Sequence, residues 1–318
     1  MRLILQFGIV MFLAAVMVTA GVSQESEQRK VVRSKISVLD IGTKQVKVVY
    51  MGDTLWEAPN WSPDGQYLLA NSGGKLYRLV LNKEKPQPEA VNLDAKYQCN
   101  NDHGISADGK LIAFSAWTEG AKGSQVYVAK ADGSNPRLVT EKAPSYYHGW
   151  SPDGKWLAFV AERGDGNFDI YRVPAKGGAE ERLTSHKGYD DGPDYSPDGK
   201  WIYINTDRSG TWDVWRFPAG GAGENDAKAE RVTSDEWEDW FPHPSPDGKW
   251  MVFLSFPKGT KGHDGRMNIQ LRIMPMEGDK AGGAIQTAAE IVGGQGTINV
   301  NSWSPDSKKF AFVSYELE

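Results

Sequence analysis

Apolar residues along this chain fall into short continuous runs, each bounded by a polar, glycine-bearing turn. Trp156-Leu157-Ala158-Phe159-Val160 and Trp201-Ile202-Tyr203-Ile204 are two of them. Unbroken apolarity over so few residues predicts a strand packed on both faces. A second strand follows each run after a polar turn: Asp169-Ile170-Tyr171-Arg172-Val173 and Asp213-Val214-Trp215-Arg216-Phe217. A third follows a Gly-rich turn, as in Glu181-Arg182-Leu183-Thr184 and Glu230-Arg231-Val232-Thr233.

A five-residue motif precedes each first run. Trp61-Ser62-Pro63-Asp64-Gly65 recurs with its serine at Ser106, Ser151, Ser196, Ser245 and Ser304, spaced 44, 45, 45, 49 and 59 residues apart. Proline fixes φ at the second turn position, aspartate caps the turn through its side chain, and glycine accepts positive φ. With a short strand before each motif, every repeat holds four strands, which is a propeller blade. The stretch Ile36 to Met51 predicts two strands with no motif before them, and the last motif has a single strand after it, Phe310 to Tyr315. The ends complement each other. The predicted fold class is all-β: a six-bladed β-propeller with four-stranded blades over residues 36–318, its last blade closed by the N-terminal strands. Such closure removes exposed sheet edges.

Residues 1–23 have another character. Met1-Arg2 is followed by an almost wholly apolar run from Leu3 to Ala20, then by the small residues Gly21 and Ser23. This is the pattern of a cleavable signal peptide, with an uncleaved anchor as its alternative. Residues 24–35 then form a short linker. The expected location is periplasmic or secreted, with no membrane contact once the leader is removed. One cysteine, Cys99, excludes an intramolecular disulfide framework and a CxxC zinc site, and it suits an oxidising compartment. A net charge of −5 gives no reason to expect a nucleic-acid partner.

Taken together, the SPDGK turn, the run ending in Phe159, and the later Asp169-Ile170-Tyr171-Arg172-Val173 with Arg182-Leu183-Thr184 resemble the WD40-like repeat of TolB-type periplasmic propellers. The resemblance implies the propeller and the compartment. TolB carries an α/β domain before its propeller, and the short linker predicts that this domain is absent here. Oligogalacturonate lyases resemble the chain more loosely. They are seven-bladed and carry a histidine-rich metal site in the channel. No GxSxG elbow occurs, so serine peptidase chemistry is not expected.

Candidate chemistry lies just before the motifs. Three residues before the serine, Pro59, Pro193 and Pro242 match the TolB-like pattern, whereas His103, His148 and Asn301 depart from it. Five residues before stand Glu57, Asn101, Tyr146, Asp191, Trp240 and Asn299, with Asp102, Tyr147, Asp190 and His243 nearby. Chain geometry predicts that these residues ring the channel mouth opposite the motif turns, as ligand-binding residues. Imidazole beside carboxylate suits one divalent metal ion held by His103, His148 and Asp191. The same setting suits acid–base work, with His103, His148 and Tyr147 as catalytic candidates. Trp240 offers a stacking face for a sugar. A blade-five insertion, Pro257 to Asn268, reads as a lid or as a solvated loop. Three readings stay open: a plain water-filled mouth, a funnel for an oligosaccharide or uronate with or without metal-assisted lyase chemistry, and a scaffold for an envelope protein.

Overall fold

The computed structural model describes residues 30–263, 265–278 and 280–318. The signal-peptide reading and the first half of the linker, residues 24–29, therefore lie outside the described residues. The chain begins with β1 (Val31–Asp40) and β2 (Val46–Gly52). The first blade is β3 (Glu57–Trp61), β4 (Tyr67–Ser72), β5 (Lys75–Val80) and β6 (Pro88–Ala90). The second is β7 (Gln98–Ile105), β8 (Leu111–Trp117), β9 (Gln125–Lys130) and β10 (Arg137–Leu138). The third is β11 (Ser145–Trp150), β12 (Trp156–Glu162), β13 (Phe168–Pro174) and β14 (Glu181–Arg182). The fourth is β15 (Asp190–Tyr195), β16 (Trp201–Thr206), β17 (Asp213–Pro218) and β18 (Glu230–Arg231). Each is an antiparallel meander from an inner to an outer strand.

Blades five and six depart from that regularity. In blade five, β19 (Glu238–Pro244), β20 (Trp250–Phe256) and β21 (Met267–Glu277) are followed by two strands that share the long β21, β22 (Lys280–Ala281) and β23 (Gln286–Gly293). Blade six is β24 (Lys309–Leu317) with β1 and β2 outside it, in the order β2-β1-β24. Its innermost segment pairs through one bridge, Trp303 with Phe310. The chain ends thus close the ring as the repeat count predicts. β1 starts earlier than the expected boundary at residue 36, because Val31 already pairs with Leu317.

The core lies in layers between blades. Along β12, Leu157, Phe159 and Ala161 pack with Ala113, Val126 and Val128 of blade two, while Ala158 and Val160 pack with Ile202, Ile204 and Phe217 of blade four. Strand side chains alternate in direction, so a strand with a blade on each side must be apolar throughout. That is the cause of the continuous runs. Each fully buried Phe or Leu contributes roughly 1.5–3 kcal/mol.

The motif turns are alike in atomic detail. In each, the serine hydroxyl donates to the aspartate, as from Ser151 to Asp153 Oδ1 at 2.7 Å, and accepts from the N–H five residues on, here Trp156 at 2.9 Å. The same aspartate accepts the Lys155 N–H at 3.1 Å. Gly154 donates its N–H to the Ser151 carbonyl and sits at φ 69°, which only glycine adopts without strain. These donors hold Asp153 and Asp198 down at about 2.

Candidate functional site

Every inner strand of blades one to five carries a register shift just before its motif. The shifts fall between Glu57 and Asn60, Cys99 and His103, Tyr147 and Gly149, Asp191 and Asp194, and Trp240 and His243. A bulge bends its strand and re-aims side chains. Here it turns the residues ahead of it toward the axis, where they meet across the channel.

The result is a hydrogen-bonded belt that joins blades. His148 Nε2 lies 3.3 Å from Asp191 Oδ1, and His148 Nδ1 lies 3.3 Å from the Asn299 carbonyl. Asn299 donates to Asp102 Oδ1 at 2.6 Å, and Asn100 donates to Asp102 Oδ2 at 2.6 Å. The other oxygen of Asp191, Oδ2, lies 3.2 Å from Nε2 of His263. Burial alone would lower the His148 pKa, but the hydrogen bond and charge of Asp191, and the charge of Asp102, raise it above 6.5. Burial alone would raise Asp191, and the two histidines instead hold it well below the carboxylate range. Asp102, whose largest influence is burial, is raised. Glu57 is also raised by burial, against an Asn71 amide at 3.3 Å.

The predicted residues are thus partly brought together, in a different role. Asn101, Asp102, His148, Asp191 and Asn299 are buried in or against the belt. Trp240 is 1% exposed, stacks on Trp212 at 3.8 Å between centroids, and meets His263 edge-on at 4.5 Å. Asp190 is held by Arg208 at 2.8 and 3.0 Å. Arg208 also binds Asp226 at 3.0 Å. His243 faces Asp194 Oδ2 at 2.9 Å and the Ile298 carbonyl at 2.6 Å. Tyr147 is buried against Gly104, and burial pushes its hydroxyl well above 10. Tyr146 is half-buried and packs on Phe168.

The end expected to be open is therefore filled. The blade-five insertion causes this: it runs back over the channel and sets His263 against Asp191, with its carbonyl accepting from the Gln295 N–H at 3.2 Å.

The open concavity is at the other end, among the motif turns. A cavity of about 400 Å³ is lined from all six blades, by Asn60, Trp61, His103, His148, Trp150, Asp194, Asn301 and Trp303 among others, and by the motif prolines Pro63, Pro152, Pro197, Pro246 and Pro305. His103 and His148 share this wall. Asn60 and Asp194 were missed by reading the third and fifth positions before each serine. They stand at the second position before the serine, which reads Asn60, Gly104, Gly149, Asp194, His243 and Ser302 across the six repeats.

A metal ion does not fit the predicted ligands. His148 spends both nitrogens on Asp191 and Asn299, and His103 has no carboxylate partner. Among the described residues no three His, Cys, Asp or Glu side chains are grouped to hold a cation. Cys99 is buried and its thiol is pushed up to about 12, so it is no ligand or nucleophile at neutral pH.

Six blades, a repeated Ser-Pro-Asp-Gly turn and a closed blade six define a β-propeller of the TolB type. Residues 142–276 match the family model described as the TolB beta propeller domain. The chain is 46% identical over 283 residues to the uncharacterised protein Atu1656 of Agrobacterium fabrum, covering 89% of this chain and 92% of that one. The structure of a candidate TolB from Agrobacterium tumefaciens overlays with a TM-score of 0.83 at 45% identity, covering 90% of this chain and 99% of that chain. The chain belongs to the TolB β-propeller family. An oligogalacturonate lyase in complex with manganese overlays with a TM-score of 0.54 at 13% identity, covering 89% of this chain and 83% of that one, a likeness of fold alone.

Proposed function

We propose that this chain is a non-catalytic recognition propeller that holds a segment of another envelope protein at the motif-ringed end of its channel. The cavity carries this reading. It draws on all six blades, and its indoles belong to the residue types enriched where proteins bury contact surface. Most of the acid–base groups are engaged within the protein, since His148 and Asp191 hold each other and His243 is fixed between Asp194 and Ile298. Membership of the TolB β-propeller family favours an envelope-protein partner over a small substrate. The leader-like residues 1–23 support export. The uronate-lyase reading rests on a distant fold likeness and on a ligand set that does not assemble.

The test is in-cell photo-crosslinking. A photoreactive amino acid replaces Ala107, which is exposed at the cavity rim, or Lys47, which is exposed on β2. The expected result is one covalent adduct with an envelope protein from position 107 and none from position 47. No adduct from 107, or the same adducts from both, contradicts the reading.

A further inference from the structure

Most polar groups on the cavity wall are already engaged within the protein. Asn60 donates to the Asn301 carbonyl at 2.5 Å and accepts the Ile105 N–H at 3.0 Å. Asn301 donates to Asp194 at 2.9 Å and to the Pro244 carbonyl at 3.1 Å. Asp194 also takes the His243 contact. Three wall residues stand apart. His103 is 0% exposed, and neither ring nitrogen has a partner among the described residues. The Trp61 indole N–H likewise has none, although Trp150 at the same motif position donates to the Gly104 carbonyl at 3.3 Å and Trp303 to the His243 carbonyl at 2.9 Å. The third is Tyr195, whose buried hydroxyl has no partner among the described residues. Native proteins satisfy nearly all buried polar groups, so three exceptions on one cavity wall mark a place for a ligand.

We infer that His103 and Trp61 are the recognition groups of a peptide site, and that its occupant is an uncharged, proline-rich segment in the polyproline II conformation. This rests on the reading of the chain as a protein-recognition module and names the chemistry of the bound segment. No Lys or Arg lines the cavity, and its one carboxylate, Asp194, is occupied, so neither an anion nor a cation is served. Burial holds His103 neutral, at about 3, so it offers one N–H and one acceptor nitrogen. Trp61 offers a donor only. A proline-rich strand makes no internal hydrogen bonds, so its carbonyls are free to accept from the His103 and Trp61 N–H groups, and the N–H of an interspersed non-proline residue is free to donate to the other His103 nitrogen. Aromatic-lined grooves take such segments because the preformed conformation loses little entropy on binding. Here Trp61, Trp150 and Trp303 supply the aromatic faces, and a volume of about 400 Å³ suits a few residues of chain.

The test is calorimetric titration of the mature protein with a capped hexaproline peptide, a capped Gly-Ser peptide of equal length, and chitotriose. Hexaproline is expected to bind at least tenfold more tightly than the other two. His103→Phe and Trp61→Phe are each expected to weaken it about fivefold, the worth of one neutral hydrogen bond. Should either core variant melt early, Ala107→Trp at the exposed rim leaves the interior intact and is expected to abolish binding. Equal binding of hexaproline and Gly-Ser peptide, tighter binding of chitotriose, or unchanged affinity in the His103 and Ala107 variants overturns the inference. A protein adduct at position 107 without hexaproline affinity refutes the proline site and leaves the recognition reading. Hexaproline affinity without any adduct does the reverse.

Discussion

Replacing Asp191 should show whether the belt is an ion pair or a set of neutral hydrogen bonds. Both of its oxygens face imidazoles, at 3.3 and 3.2 Å, and Oδ1 also accepts the Gly192 N–H at 2.7 Å. The side chains of Asp191 and His148 are 7% and 3% exposed, so solvent screens little. Asp191→Ala strips a buried pair of one partner, at a cost of about 3–5 kcal/mol. Asp191→Asn keeps the volume and one acceptor and loses the charge, at about 1.5–3 kcal/mol. The pH dependence is the sharper readout. In the wild type the His148 pKa is raised, so its contribution is complete below about 6.5 and is lost as pH rises through the higher folded value. Asp191 is lowered, so its contribution is present above the ordinary carboxylate range and is lost only as pH falls through its folded value. Without the carboxylate, burial dominates at His148 and the alkaline decline flattens or reverses. Urea unfolding between pH 5.5 and 9 measures both effects. Wild-type stability in Asp191→Asn with an unchanged pH slope would refute a charged belt.

Three further outcomes follow from the geometry. A Cβ at Gly104 would stand 2.5 Å from the Tyr147 hydroxyl, so Gly104→Ala should lose about 1–3 kcal/mol, with partial recovery on adding Tyr147→Phe, read by thermal melting. Arg208→Met should lose about 3–5 kcal/mol in urea unfolding, since it leaves Asp190 and Asp226 buried without their cation. Asp153→Asn should lose no more than about 1 kcal/mol, because its carboxylate is half exposed and screened. The aspartate contribution is present above the ordinary carboxylate range and disappears toward pH 2, so the difference between Asp153→Asn and wild type should shrink in acid unfolding curves.

The fold was legible because its signals are local and repeated. A Ser-Pro-Asp-Gly turn states its own geometry, and a run such as Trp156 to Val160 reveals a neighbour on each side. Closure followed from counting strands at the two ends. The site was less legible because it depends on where side chains point after a bulge. His103 and His148 occupy the same motif position and the same cavity wall, yet one has no partner and the other is tied to Asp191 and Asn299. Spacing cannot separate them. Asp190 reads as a polar residue at a channel mouth, but Arg208, in the turn after β16, reaches back to neutralise it. The insertion loop was visible as extra length, and only its path showed that it fills the end where an opening was expected.

The pairing of β1 with β24 sets a timetable for assembly. Lys30 and Glu318, which meet through a 2.8 Å ion pair, are 288 positions apart. In a chain delivered amino end first, β1 and β2 wait without a blade until residues 309–317 emerge. Val46, Val48 and Met51 of β2 stay 45–57% exposed even after closure, so the waiting hairpin offers an apolar edge to any neighbour throughout that interval. Contacts this distant in sequence form slowly. The open ring, rather than the finished propeller, is then the form most exposed to proteolysis and aggregation, and the step at which a chaperone has the most to protect.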